Sequence, residues 1–107
     1  MTDFRDRERA EEAKYAMDQD TAFRVAARRN RLLGHWAAEK MGLTAEETAS
    51  YAKAVIQADF EEAGDEDVIR KVLGDLVAAG VDIDDAAVRS ALAEKSVEAK
   101  RQLMSES

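Results

Sequence analysis

The fold is decided by the stretch Arg28–Met41, whose sequence is RRNRLLGHWAAEKM. It contains the only tryptophan and the only histidine of the chain, and it turns from basic to apolar after its first four residues. Its apolar side chains recur at three- and four-residue steps, which places them on one face of an α-helix. They are Leu33, Trp36, Ala37 and Met41. Because tryptophan has the largest apolar side chain, we expect the core to form around this face.

The composition indicates a single all-α domain. The chain has 107 residues and no proline, and it is rich in alanine, glutamate and arginine, which favour helix. A chain of this length buries a modest core as one domain without disulfides. There is no cysteine, which excludes disulfides and thiolate metal sites.

The charge and hydropathy exclude several classes of partner. A net charge of −7 argues against nucleic acid, since phosphate contacts need a basic surplus. No apolar run approaches the roughly 20 residues of a membrane-spanning helix. The first residues also lack the apolar core of a signal peptide. We therefore expect a cytoplasmic protein that does not insert into a membrane.

Glycines and capping residues divide the chain into four helices, and their short connections predict a four-helix bundle with a long first helix. Thr44 and Glu47 have the spacing of a capping box at the start of the second helix. Asp65 and Asp84 are expected to cap the third and fourth helices with their side chains. The predicted helices end near Met41, Ala63, Ala79 and Met104, and the bundle domain comprises residues 21–107.

Apolar periodicity assigns an inner face to the last three helices. Gly34, inside the first helix, either lets another helix approach closely or marks a bend. The predicted inner residues are Ala45, Ala49, Ala52, Ile56 and Phe60 in the second helix, Ile69, Val72, Leu73, Leu76 and Val77 in the third, and Val88, Leu92, Ala99 and Leu103 in the fourth.

Residues 1–20 are mostly charged, and their apolar side chains are sparse. One interpretation is a solvated helix that frays at its end. The other is a segment that orders on a partner, with Phe4, Tyr15 and Met17 as apolar anchors and the charges setting the register.

Few residues suggest chemistry of their own. The single histidine, His35, has no second imidazole or thiol to complete a zinc site, so we expect it to be hydrogen-bonded or partly exposed. No serine has a histidine beside it in sequence, and with one histidine in the chain we do not expect a catalytic triad. The acidic cluster at residues 59–67 lacks the ligand spacing of a calcium loop, so we interpret it as a capped helix junction. We therefore predict no catalytic residues, no metal site and no required cofactor.

Four arginines form a basic patch in this acidic chain: Arg24, Arg28, Arg29 and Arg31. Arginine suits carboxylate and phosphate recognition, so the patch is a candidate anion or nucleotide contact. The alternative is that these arginines pair with the acidic junction or with Asp18 and Asp20.

Six blocks of sequence are distributed in order along nearly the whole length of the chain: Phe4–Ala16, Ala27–Gly34, Trp36–Ala38, Tyr51–Lys53, Ala58–Val68 and Ala99–Leu103. Together they resemble the zeta subunit family of alphaproteobacterial F-type ATPases. The resemblance implies a four-helix inhibitor of ATP hydrolysis. Its mobile N-terminal segment, residues 1–20, would insert between alpha and beta subunits beside the gamma shaft and block rotation.

The resemblance also implies the residues of contact and a regulatory ligand. The N-terminal contacts would come from Phe4, Arg5, Arg7, Glu8, Arg9, Lys14, Tyr15 and Met17. ATP or ADP binding would give the basic patch a second role, and a nucleotide-binding regulatory module without strong inhibitory activity is the alternative function. The protein would be cytoplasmic, and peripheral to the inner membrane when bound to the ATP synthase.

Overall fold

The computed structural model describes residues 3–59 and 64–106, with side chains described for residues 20–59 and 64–105. Within these ranges the chain forms four α-helices and no strand, which confirms the predicted all-α, four-helix fold. None of the described helices is both long and apolar enough to cross a membrane. The helices are α1 (Asp3–Met41), α2 (Ala45–Ala58), α3 (Glu66–Ala78) and α4 (Asp85–Glu106).

The turn between α1 and α2 is encoded locally. Gly42 adopts a φ of +71°, and the Leu43 N–H donates to the Ala38 carbonyl at 3.0 Å, which closes α1 with a Schellman motif. The predicted capping box begins α2, because the Thr44 N–H donates to Glu47 Oε1 at 2.9 Å and the Glu47 N–H donates to Thr44 Oγ1 at 3.2 Å. The bond from the Thr44 backbone lowers the pKa of the Glu47 carboxyl.

The turn between α3 and α4 also follows the sequence. The Val81 N–H donates to the Leu76 carbonyl at 3.0 Å, closing α3 around Gly80. Asp84 caps α4 as predicted, since its Oδ1 accepts the Ala87 N–H at 2.9 Å.

The junction between α2 and α3 departs from the prediction. Helix α2 ends at Ala58 rather than near Ala63, and the Asp59 N–H closes its last turn on the Ile56 carbonyl at 3.3 Å. Phe60, predicted on the inner face, lies outside the described residues. Asp65 is the N-cap residue of α3 as predicted, but its side chain makes no capping hydrogen bond, and its carboxylate pairs with an arginine of α1 instead.

The core lies between all four helices. The predicted face of α1 contributes Leu33 and Ala37 to this core, whereas Trp36 and Met41 are partly exposed and pack against its margin. The Trp36 ring is covered from outside by Lys40, whose Nζ lies 5.1 Å from the ring centroid. The buried cluster consists of Leu33, Ala37, Val55, Val68, Ile69, Val72, Leu76, Val88, Ala91 and Leu92.

Some predicted inner positions are displaced around their helices. Ala45 and Ala49 are exposed, because the inner face of α2 passes through Val55 instead. In α3, Val77 is 56% exposed while Val68 is buried. The buried face of α3 is therefore rotated by part of a turn from the predicted inner face.

Helices α1 and α2 approach each other closely at Gly34. A Cβ atom at this position would lie 2.8 Å from the Ala52 Cα and 3.3 Å from the Ala52 Cβ, distances too short for undisturbed packing. The first of the two predicted roles of Gly34, close helix approach, is therefore confirmed.

Candidate functional site

Arg29 joins α1 to both sides of the α2–α3 junction. Its guanidinium lies 3.0 Å from Asp65 Oδ1 and 3.7 Å from Asp59 Oδ2, and its side chain is only 11% exposed. Its Nε donates to Asn30 Oδ1 at 3.1 Å. These contacts occupy the guanidinium inside the protein, as expected if the patch pairs with the acidic junction.

Asn30 is a buried polar residue that the sequence analysis missed. It is 1% exposed, and its Nδ2 has no hydrogen-bond partner among the described residues. The signal was present, because Asn30 lies three and seven residues before Leu33 and Ala37 and so shares their buried face. Asn30 and Arg29 therefore form a polar edge to the core.

A second ionic cluster links the first turns of α3 and α4. Arg89 donates to both carboxylate oxygens of Glu66 at 2.8 Å and also bonds Asp85. The hydrogen bonds from Arg89 lower the pKa of the Glu66 carboxyl, and those to Glu66 and Asp85 raise the pKa of Arg89. Glu66 accepts a bidentate pair of hydrogen bonds from Arg89, and Asp85 accepts a single one. This arrangement positions the starts of α3 and α4 relative to each other.

Arg29, Arg89 and Ser96 all line one cavity of about 390 Å³. Asp65 and Glu66 belong to the same lining, and each pairs with one of the two arginines. Because both guanidiniums are neutralised there, the cavity offers no surplus positive charge to an anion.

A third polar cluster ties α2 to α3. The Tyr51 hydroxyl donates to Asp75 Oδ2 at 2.8 Å, and Lys71 Nζ lies 3.1 Å from the same oxygen and 5.3 Å from the Tyr51 ring centroid. Burial, and then the bond to Asp75, raise the pKa of Tyr51. The tyrosine is therefore neutral and acts as a structural donor.

The other arginines of the patch lie on the opposite side of α1 in an open groove of about 410 Å³, here called the basic groove. Arg24 Nε lies 3.2 Å from Asp20 Oδ2, with both side chains more than 60% exposed, and Arg31 is exposed. Helix α1 contributes most of the lining residues, and α2 and α4 contribute one apolar residue each. The lining residues are Phe23, Arg24, Ala27, Arg28, Arg31, Ile56 and Leu103.

The predicted patch is thus two surfaces. Arg29 is internal, while Arg24, Arg28 and Arg31 line the basic groove. His35 is exposed, in agreement with one of its two predicted environments. In the part of the chain that the structure describes, no three acidic, histidine or cysteine side chains could hold a metal ion.

The predicted N-terminal contacts fall outside the described side chains. Helix α1 is continuous in backbone from Asp3, with no break near residue 20. The predicted contact residues whose side chains lie outside the described ranges are Phe4, Arg5, Arg7, Glu8, Arg9, Lys14, Tyr15 and Met17.

The structure is thus a small helical protein whose helices are joined by the polar clusters around Arg29, Arg89 and Tyr51. The basic groove is open to solvent. The family model for ATPase inhibitor subunit zeta matches residues 1–102. The chain therefore belongs to the ATPase inhibitor subunit zeta family, a family of inhibitor subunits.

A solved relative supports the fold. This chain is similar to a protein solved by solution NMR, with 48% sequence identity and a TM-score of 0.71. The match covers 79% of this chain and 96% of the chain in the NMR structure. No curated protein matches the chain.

Proposed function

We propose that this protein blocks ATP hydrolysis by inserting residues 1–20 between alpha and beta subunits of the F-type ATPase, beside the gamma shaft. The observation that carries the proposal is the family match to residues 1–102, which includes the N-terminal segment as well as the bundle. In this proposal the chain has two functional parts, the inserting segment and a bundle domain at residues 21–107.

The lengths of the helices support this division. Helix α1 has 39 residues and spans about 58 Å, whereas α2 has 14 residues and spans about 21 Å. The first fully buried residue on the described part of α1 is Asn30, and residues 20–24 are all exposed. The bundle therefore buries the C-terminal part of α1 and leaves residues 20–24 exposed, which supports a contact of this part of α1 with a partner.

The mechanism is steric. The inserted helix would bury Phe4, Tyr15 and Met17 against the catalytic interface, and the free energy of this burial would offset the cost of ordering the segment. The charged contacts would come from Arg5, Arg7, Glu8, Arg9 and Lys14, which fix the register of the helix. The rotor cannot pass while the segment is bound. The bound protein would be cytoplasmic and peripheral to the inner membrane.

Deletion of residues 2–19 tests the proposal. We expect the truncated protein to lose inhibition of purified ATPase while its helical circular dichroism and thermal transition persist, because the core uses residues from Asn30 onward. A matched control carries the same eighteen residues in scrambled order, which keeps their charge and destroys the register. Full inhibition by either variant would contradict insertion of a specific segment.

Binding of ATP or ADP as a regulatory ligand is the second candidate function. The exposed arginines of the basic groove favour it, but Arg29 is committed to Asp59 and Asp65 and Arg24 pairs with Asp20. Titration of isotopically labelled protein with ATP tests it: chemical-shift changes confined to residues 24–36 would support a nucleotide site, and an unchanged spectrum would remove it.

A further inference from the structure

We propose that Leu103 is a positioning residue: it braces α1 where that helix leaves the bundle, and so sets the direction in which the inserting segment points. This inference rests on the proposed function, because it assigns a residue of the bundle to the orientation of the same segment. The brace lies within the chain, between the end of α4 and the N-terminal side of the anchored part of α1.

The burial of α1 falls off in steps towards its N-terminus. Asn30 is buried, residues 25–29 are all partly buried, and residues 20–24 are all exposed. Because the helical backbone continues without a break to Asp3, the chain leaves the bundle as a helix. The last support that α1 receives from other helices therefore lies near residues 25–29.

A line of apolar residues on α4 leads to this point. Leu92 and Ala99 are buried two turns apart, and Leu103 continues their line four residues after Ala99. Leu103 itself is partly buried, where it lines the basic groove. Helix α4 ends three residues later at Glu106, so Leu103 is the last inward-facing apolar residue of α4.

Helices α1 and α4 run antiparallel at this end of the bundle. Ser96 of α4 lines one cavity with Arg29 of α1. About two turns later in α4, Leu103 lines the basic groove with Phe23 and Ala27, which both precede Arg29. Less than one turn of α4 remains after Leu103, so the support of α1 by α4 ends close to Phe23, at the border between partly buried and exposed residues.

The length of the emerging helix makes its direction important. From Val25 back to Asp3, α1 continues for 22 residues, or about 33 Å. A change of about 10° in direction at Val25 would move the far end by about 6 Å, roughly the separation of neighbouring side chains on a helix face. A segment that already leaves the bundle in a fixed direction loses less orientational freedom on insertion, which favours binding.

The test compares three single variants of the full chain. Leu103→Ala removes the brace, and Leu103→Met keeps an apolar side chain of similar volume. Val97→Ala is the matched control, because Val97 is also an apolar residue of α4 but is 57% exposed and outside the groove. Alanine is the better helix former at both positions, so neither alanine variant weakens α4 itself. Leu103 is not part of the buried core cluster, so each variant should remain folded, which urea unfolding checks.

Two readouts measure positioning rather than stability. The NMR order parameters of amides 20–28 should fall in Leu103→Ala and stay at the wild-type values in the other two variants. The apparent inhibition constant against purified ATPase should rise about threefold to tenfold in Leu103→Ala, and stay within about twofold of wild type in the other two. Maximal inhibition at saturating protein should be the same in all of them, because the inserting segment is intact.

The outcomes separate the brace from the proposed function. If the wild-type protein does not inhibit, both proposals fail. If it inhibits but Leu103→Ala and Val97→Ala inhibit equally well, only the brace is overturned. Unchanged order parameters at residues 20–28 in Leu103→Ala would overturn the brace as well. Stronger inhibition by Leu103→Ala would do the same, since α4 would then restrain the segment rather than direct it.

Discussion

Gly34→Ala tests the close approach of α1 and α2. The new Cβ would lie 2.8 Å from the Ala52 Cα, which is backbone and cannot rotate away, so the two helices must separate. Overpacking of this kind costs about 1–3 kcal/mol, whereas replacing a helical glycine by alanine returns about 1 kcal/mol of helix propensity. Since the clash is with backbone, the upper part of the range applies, and we expect a net loss of about 1–2 kcal/mol.

The assay is urea unfolding followed by circular dichroism, supported by thermal melts, in which this loss corresponds to a fall of roughly 4–8 °C in Tm. Gly74→Ala is the matched control, because Gly74 lies inside α3 with nothing within 4 Å of its built Cβ. That variant should gain about 0.5–1 kcal/mol. Adding Ala52→Gly to the Gly34 variant should not restore stability, because it removes only the Ala52 methyl group and leaves the clash with the α2 backbone. A Gly34→Ala protein as stable as wild type would refute the reasoning.

Two other variants probe the polar clusters. Tyr51→Phe removes the donor to Asp75 and should lower the free energy of unfolding by about 0.5–1.5 kcal/mol in urea titrations, while a loss below the error of the measurement would mean that water replaces the bond. Arg89 lowers the pKa of Glu66 in the folded state, so this interaction stabilises the fold above the unfolded pKa of about 4.3 and is lost as the pH falls through the folded value. The urea midpoint should therefore fall as the pH is lowered from the unfolded pKa, and less steeply in Glu66→Gln; parallel pH profiles would count against the assignment.

Local sequence signals were sufficient to predict the helix boundaries whose capping hydrogen bonds form between neighbouring residues. The capping box at Thr44 and the cap at Asp84 are complete within four residues, so their geometry does not depend on the rest of the fold. Asp65 has the same local signal and a different outcome. Its carboxylate binds Arg29, 36 positions earlier in the chain, and no local pattern contains that contact.

Side-chain size was a poor guide to the centre of the core. Trp36 is the largest apolar residue, but the close approach of α1 and α2 at Gly34 leaves room mainly for small side chains, such as the fully buried Ala37 and Ala38. The indole packs against the margin of the core, with Lys40 over its ring. The four arginines of the basic patch are close in sequence, but the structure divides them between the interior and the groove. This division depends on the rotation of α1 about its axis, which the spacing of the arginines does not reveal.

The tight turn at residues 42–44 has a consequence for the order of folding. It joins α1 to α2 through three residues whose hydrogen bonds are almost all local, so this helical hairpin closes a short loop at low entropic cost. Helix α4 reaches α1 only after a far longer loop has closed, which makes its docking the slower step. We expect Gly34→Ala to slow refolding, because it disturbs the hairpin, and changes at Ala99 mainly to speed unfolding. On this view α1 becomes firmly held only when the last helix of the chain has docked.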